Sequence, residues 1–267
     1  MLFRITPAVK NLIIINTLML IIAWLSSAYF SVDLNSILGL HFFKSENFHL
    51  YQYVTYMFMH GGFWHLFFNM YALFMFGIIL EQVWGSKRFL IFYFVTGIGA
   101  ALVHTAVNYT QIIPMIRDAH SFINTPSPEL FNAFIRAHIS DPNREIFTFI
   151  KAWSLTPNDL DMINQAIQMV NAHIQMTLNI PTVGASGAVF GVLLAFGMLF
   201  PNTQLMLLIP PIPIKAKYFV LLYGGLELFL ALQQPGSQIA HFAHLGGMLF
   251  GYLMLRYWRY DRNTFYY

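Results

Sequence analysis

The chain contains six stretches of about 20 predominantly apolar residues, the length that an α-helix needs to cross the hydrocarbon core of a bilayer. Only 9% of its 267 residues are charged and 57% are hydrophobic, whereas soluble domains carry about 25% charged residues. The sequence therefore predicts an all-α, polytopic membrane protein with six transmembrane helices. The predicted spans lie near residues 9–30, 65–84, 88–108, 183–200, 215–232 and 239–258.

Composition also excludes several function classes. The net charge of +3 comes without a basic tract, so no nucleic-acid partner is expected. Cysteine is absent, which excludes disulfides, thiolate nucleophiles and thiolate metal ligands. The apolar residues 12–25 follow Arg4 and Lys10 as in a signal peptide, but no small-residue cleavage pattern follows them. We therefore interpret this stretch as the first spanning helix.

The distribution of Lys and Arg predicts the orientation, because short cytoplasmic loops are enriched in both. One set of span ends holds most of the basic residues, whereas the opposite short loop holds Lys44 and the long third loop counts little. We expect both termini to be cytoplasmic, in the inner (cell) membrane of a bacterium. The residues counted for the cytoplasmic side are Arg4, Lys10, Lys87, Arg88, Lys215, Lys217, Arg256, Arg259 and Arg262.

The segment 109–180 interrupts the pattern of spans. It contains three places where a capping side chain precedes proline, at Ser127-Pro128, Asp141-Pro142 and Thr156-Pro157, and each predicts a helix start. Apolar residues then recur at helical spacing. We expect a helical insert between helices 3 and 4 on the outer face, resting on the bundle or the lipid surface. The apolar residues are Leu160, Ile163, Ile167, Val170 and Ile174.

Strongly polar groups inside a bilayer cost roughly a few kcal/mol each and are therefore functional candidates. The first is Ser186 within Gly184-Ala185-Ser186-Gly187, at the start of the fourth span. Small neighbours let a substrate approach, and a helix N-terminus offers free N–H groups to a developing anion. Helix packing through Gly187 and Gly191 is the alternative interpretation.

The second candidate is His244 in the sixth span, where a neutral imidazole suits general-base work. Gly247 and Gly251 would let this helix pack on the Gly187/Gly191 face and bring His244 to Ser186. His241 lies three residues before His244, so the two could instead share a metal, although no carboxylate lies near them in the segment. No metal site is expected.

The third cluster is His60, His65 and Asn69. His65 and Asn69 are four residues apart and share one helix face, so their side chains could stabilise an oxyanion. A buried interhelical hydrogen-bond network is the alternative. Glu81 is interpreted as structural, and Glu227 in the fifth span receives no role.

Together these motifs resemble the rhomboid family of intramembrane serine proteases. The resemblance covers nearly the whole chain apart from the insert. We expect one domain, residues 1–267, which contains the insert 109–180. It is carried, in chain order, by His60-x4-His65-x3-Asn69, Gly77-x3-Glu81, Gly184-Ala185-Ser186-Gly187 and Ala243-His244-Leu245-Gly246-Gly247-x3-Gly251.

The resemblance implies a role for each matching residue. Ser186 would be the nucleophile and His244 its base; His65, Asn69 and the Ser186 backbone N–H would form the oxyanion hole, and His60 would steady the first loop. Gly184 and Gly187 would support the site. Phe190 stands where many relatives have a tyrosine against the catalytic histidine.

Two further departures from the family concern loops. Tyr51-Gln52 replaces the Trp-Arg often found in the first loop, which bears on how that loop is anchored. The long insert is unusual, and we hypothesise that it gates substrate access.

The implied activity is cleavage of single-span membrane proteins in or near their transmembrane segments, through a Ser–His dyad and without a cofactor. The expected partners are the lipid bilayer and such substrates. An inactive relative that binds transmembrane helices is the main alternative. A transporter is the second, but it would be expected to show paired halves with broken helices.

Overall fold

The computed structural model describes residues 5–206, 211–233 and 240–258. Most of these residues are helical, as the sequence predicts. The chain divides into two compact units. The bundle unit comprises Met1–His41, Asn47–Thr105 and Pro181–Tyr267, and the second unit comprises Phe42–Glu46 and Ala106–Ile180.

The first part of the chain forms five α-helices. A π-helical turn, Leu73–Gly77, joins the fourth helix to the fifth, and the backbone leaves helical geometry at Gly85 with φ 76°. The predicted second and third spans both lie within this stretch. The helices are α1 (Pro7–Phe30), α2 (Leu34–Leu38), α3 (Gln52–Thr55), α4 (Phe63–Ala72) and α5 (Ile78–Asn124).

Helix α5 continues well beyond residue 108, where the sequence predicted the third span to end. Apolar residues still recur every three or four positions there, at Ile112, Met115, Ala119 and Phe122, and all four are buried in the core of the second unit. Pro114 lies within the helix. The apolar period, continued into a second core, therefore outweighs the proline.

The second unit also contains three amphipathic helices, α6 (Pro128–His138), α7 (Arg144–Leu155) and α8 (Leu160–Leu178). Ser127 caps α6 as predicted, and its side chain accepts from the Leu130 N–H. The other two predicted starts are wrong by a few residues. Asn143 and Asp159 are the N-caps of α7 and α8, and their side chains accept from backbone N–H groups of the first turn.

The sequence also predicted that Leu160 lies on the apolar face of α8, and the structure corrects this prediction. Leu160 is 72% exposed, while Ala166, Val170, Ile174 and Leu178 are buried. These four residues recur every four positions, which selects one face of the helix. Val170 and Ile174 are thus buried as predicted, and Ile163 and Ile167 pack against the same core, so the predicted face is wrong only at Leu160.

Three helices complete the bundle unit: α9 (Ser186–Leu199), α10 (Ala216–Gln233) and α11 (His241–Tyr257). A short antiparallel pair of strands, β1 (Gln204–Met206) and β2 (Pro213–Lys215), precedes α10. The all-α prediction is corrected to this extent. Arg4, Arg259, Arg262 and residue 239, the predicted start of the sixth span, lie outside the described residues.

Among the described residues, three helical segments are long and apolar enough to cross a membrane: Pro7–Phe30, Phe63–Asn124 and Ala216–Gln233. Ser186–Leu199 is apolar but shorter. Large apolar side chains on α1 are exposed, among them Trp24 at 66% and Phe30 at 75%. Such surfaces are stable against lipid tails rather than water. The predicted count of six spans and the placement of the insert stay predictions.

Glu81 ties α1 to the rest of the bundle unit. Its two carboxylate oxygens accept from the backbone N–H groups of Ala8 and Val9 at 2.8 and 2.9 Å, and Oε1 also accepts from the Ser86 hydroxyl. The first N–H groups of a helix have no intrahelical partner, and a carboxylate there also complements the helix dipole. Glu81 is therefore structural, as the sequence suggested.

Candidate active site

Helices α9 and α11 meet through the small residues that the sequence singled out. A Cβ atom on Gly247 would overlap the Gly187 carbonyl, and one on Gly251 would lie 3.2 Å from the Gly191 Cα and carbonyl oxygen. Without side chains at these positions the two backbones come into contact, as small-xxx-small pairs allow. This approach brings the N-terminal ends of the two helices together.

The close packing places Ser186 beside His244. The distance from Ser186 Oγ to His244 Nε2 is 2.8 Å, a hydrogen-bond length. Ser186 is the first residue of α9, so its side chain stands at a helix N-terminus, next to backbone N–H groups that lack intrahelical partners. A hydroxyl in contact with a ring nitrogen is the arrangement that activates a serine nucleophile.

An aromatic stack holds the imidazole from one side. The rings of Phe190 and His244 are parallel within 4°, with centroids 4.2 Å apart. Tyr223 of α10 stacks in turn on Phe190, with ring centroids 5.5 Å apart. Phe190 therefore contacts His244 where many relatives use a tyrosine, and it does so without a hydroxyl.

His65, on α4, lies beside the glycine that precedes the serine. The Gly61 N–H donates to its Nδ1 at 3.3 Å, so the neutral ring carries its proton on Nε2. A Cβ atom on Gly184 would lie 2.8 Å from that Nε2, and Gly184 has φ 132°, where a side chain is strained. Glycine is therefore needed at residue 184 on two grounds, backbone conformation and space.

Asn69 and His60 lie in the same part of the bundle unit. The Asn69 side chain is buried, and its Nδ2 donates to the His65 carbonyl at 2.9 Å, which uses one of its two N–H groups. The His60 ring is buried and packs edge-on against His65, with centroids 5.1 Å apart. The contacts with the His65 ring itself come from His60 and from the Gly61 N–H, whereas Asn69 bonds to the backbone of His65.

Glu227 is the residue whose position the sequence analysis missed. From α10 its Oε2 accepts from Nδ1 of His244 at 2.9 Å and from Nδ1 of His241 at 2.7 Å. No carboxylate lies near these histidines in their own segment, but the fold brings one to them from another helix. A signal was present, since an ionisable residue in the middle of an apolar span calls for a partner inside the bundle. What the sequence lacked was the identity of that partner.

Among the described residues, Glu227, His241 and His244 also form a group of side chains that could hold a metal ion, with one potential ligand atom each and all three atoms within 4.8 Å of one another. The contacts that the group makes are hydrogen bonds from ring N–H groups to a carboxylate oxygen. Two donors on one oxygen also satisfy a carboxylate that would otherwise be costly to bury.

Comparison with known proteins identifies the family. The model of the family described as Rhomboid domain matches residues 47–115 and 159–260, which include every predicted site residue. A protein of Arabidopsis thaliana named "Inactive RHOMBOID-like protein 8" is 35% identical over 78 residues, 29% of this chain and 22% of that protein. The match thus spans about a fifth of that relative's length. No solved structure matches this chain. Because the family model covers more than half of the sequence, the chain belongs to the rhomboid family.

Proposed function

We propose that this protein is an intramembrane serine endopeptidase in which Ser186 is the nucleophile and His244 the general base. The observation that carries the proposal is the 2.8 Å contact between Ser186 Oγ and His244 Nε2. The two residues are 58 positions apart in sequence and lie on helices whose glycines bring them together. Membership of the rhomboid family supports the same reaction class.

In this mechanism His244 takes the proton from the Ser186 hydroxyl while Oγ attacks the carbonyl carbon of the scissile peptide bond. The electron pair of the carbonyl moves to oxygen, and the tetrahedral intermediate collapses when the protonated imidazole gives its proton to the leaving amine. Water, activated by the same imidazole, then hydrolyses the acyl-enzyme. Neither step needs a cofactor.

The oxyanion would be stabilised by His65, Asn69 and the Ser186 backbone N–H. His65 supports this role because its N–H-bearing Nε2 faces Gly184. Asn69 supports it because one amide N–H stays available after the bond to the His65 carbonyl. Each such donor is worth about 3–4 kcal/mol of transition-state stabilisation in a serine protease. His60 would act indirectly, through its contact with His65.

The proposed substrates are single-span membrane proteins that carry small or helix-breaking residues in or near the membrane. The peptide bonds of an intact helix are shielded by their own hydrogen bonds, so the substrate must unwind locally before Ser186 can reach it. We further propose that the protein lies in the cell membrane of a bacterium; the distribution of Lys and Arg supports cytoplasmic termini.

A second candidate function is binding of transmembrane helices without cleavage. The name of the Arabidopsis relative, which contains the word "Inactive", favours it. The presence of both Ser186 and His244 in hydrogen-bond contact favours the protease instead, because binding alone has no use for the pair.

Reaction with a fluorophosphonate probe in detergent micelles tests the proposal, together with cleavage of a single-span substrate in liposomes. We expect wild-type protein and Ser27→Ala, a control for a serine exposed on α1, to be labelled and active. Ser186→Ala should lose labelling, and its cleavage rate should fall by at least about 10³-fold. An unlabelled, inactive wild type that still binds the substrate helix would favour the second function.

A further inference from the structure

The Glu227 carboxylate is positioned to act on the proposed catalytic base. Its Oε2 accepts from His244 Nδ1 at 2.9 Å, while His244 Nε2 lies 2.8 Å from Ser186 Oγ. We propose that Glu227 is a positioning residue that completes a Ser186–His244–Glu227 triad. This inference rests on the proposed proteolytic function, and it replaces the dyad that the family resemblance implies.

The hydrogen bonds determine which nitrogen of His244 carries the proton. An ionised carboxylate has no proton to donate, so the ring nitrogen in contact with it must be an N–H donor. The proton of neutral His244 therefore lies on Nδ1, and its lone pair lies on Nε2, facing Ser186. The other tautomer would present an N–H to the serine and could not take its proton. Glu227 thus selects the form of His244 that can act as a base.

The carboxylate is itself held in place by a second donor. His241 donates from Nδ1 to the same oxygen at 2.7 Å, and its side chain is 4% exposed. Glu227 and His244 side chains are 10% and 12% exposed. In a site of such low exposure a charge interaction is screened little by water. The carboxylate therefore stabilises the imidazolium that forms each time His244 takes a proton.

Helix α10 orients His244 by two routes at once. Tyr223 and Glu227 are four residues apart on this helix and share one face. Tyr223 stacks on Phe190, which stacks on His244, while Glu227 contacts the edge of the same ring. The ring plane and the ring rotation are therefore both set by contacts outside α11.

The distances favour this role over a metal site built from the same side chains. Two ligand atoms on a tetrahedral zinc ion, each about 2.0–2.1 Å from it, stand roughly 3.4 Å apart. The nitrogen–oxygen distances of 2.7 and 2.9 Å are shorter than that and match direct hydrogen bonds.

The first test is Glu227→Gln, which keeps the shape of the side chain and removes its charge. We expect kcat to fall by about 10²–10⁴-fold, as for the corresponding substitution in a well-studied triad, with KM within about threefold. Gly225→Ala, at an open position of α10, should leave both constants unchanged. A decrease in kcat of less than about tenfold would overturn the proposal.

The second test reads the tautomer directly and does not depend on activity. The ¹⁵N NMR spectrum of histidine-labelled full-length protein in micelles, with His241 and His244 assigned by single substitutions, should show His244 protonated at Nδ1. Glu227→Gln should reduce that population. A wild-type His244 protonated at Nε2 would overturn the proposal, even if the glutamine variant failed to fold.

Two further outcomes separate the alternatives. An Nδ1–H signal that appears only after dialysis against a chelator would assign the three side chains to a metal and overturn the proposal. If wild-type protein shows the Nδ1–H tautomer but reacts with no fluorophosphonate and cleaves nothing, the proteolytic function fails and the triad inference, which rests on it, fails too. Proteolysis by wild type with an unaffected glutamine variant would leave the function standing and remove only the triad.

Discussion

At the scale of single residues, Gln52 shows how one side chain can organise a loop. It lies where rhomboids often carry the arginine of a Trp-Arg pair, and it is fully buried. Its Oε1 accepts from two backbone N–H groups and its Nε2 donates to two carbonyls, so the amide uses its full bonding capacity. The first loop is therefore anchored without the charged residue. The four partners are the N–H groups of His41 and His49 and the carbonyls of Ile37 and Asn47.

Replacement of Gln52 by alanine should destabilise the protein by about 2–3 kcal/mol, because backbone groups in the loop lose their partner. The measurement is thermal unfolding in detergent micelles. Tyr51→Phe is the matched control, since the Tyr51 hydroxyl makes one exposed contact of 3.4 Å with the Ile37 carbonyl. The control should change stability by less than about 0.5 kcal/mol. Equal melting temperatures for Gln52→Ala and wild type would contradict this account of the loop.

At the scale of elements, the contact between α9 and α11 determines whether the serine and the histidine meet. The contact depends on two glycines of α11 that face Gly187 and Gly191 of α9. A side chain there cannot be accommodated by a rotamer change, because the atoms that it would meet belong to the backbone of the other helix. The helix–helix distance, and with it the site, therefore depends on glycine.

Gly247→Ala should separate the two helices and lengthen the contact between Ser186 and His244. A displacement of about 1 Å is enough to lower the rate roughly 10²-fold, and we expect a lower melting temperature as well. Gly225→Ala is the control, because nothing lies within 4 Å of a Cβ atom at that position. It should keep wild-type activity and be neutral or stabilising by up to about 1 kcal/mol, the propensity difference between alanine and glycine. Wild-type activity in Gly247→Ala would show that the glycine contact is not needed.

At the scale of the whole molecule, the chain is an integral membrane protein of the rhomboid family. Its long apolar helices expose large hydrophobic side chains that lipid can cover, as on α1. The side of the membrane on which the termini lie stays a prediction from the basic residues. The number of spans stays a prediction from the apolar stretches. That the insert gates substrate access likewise stays a prediction.

The absence of cysteine makes the topology accessible to labelling without background. We expect a membrane-impermeant maleimide to label Glu145→Cys but not Lys87→Cys in intact spheroplasts, since both positions are exposed and are predicted on opposite sides. Both variants should react after detergent is added. Labelling of Lys87→Cys in intact spheroplasts would reverse the predicted orientation.

The sequence by itself determined the helical class and most of the residues that matter for the site. A spanning helix is recognised from the hydrophobicity of its own consecutive residues, so it can be predicted without knowledge of the fold. The glycines of the fourth and sixth predicted spans already indicated which two helices would meet, because small residues spaced four apart let two helix backbones approach closely. The pairing of Ser186 with His244 could therefore be predicted from spacing and chemistry.

Tertiary structure alone decided which polar groups pair across helices. Glu227 and Glu81 looked alike as isolated carboxylates, yet one accepts from two histidines and the other from the N-terminus of α1. Such contacts depend on the rotation and register of each helix against its neighbours. Those are set by packing over the whole unit, and no local pattern in the chain encodes them.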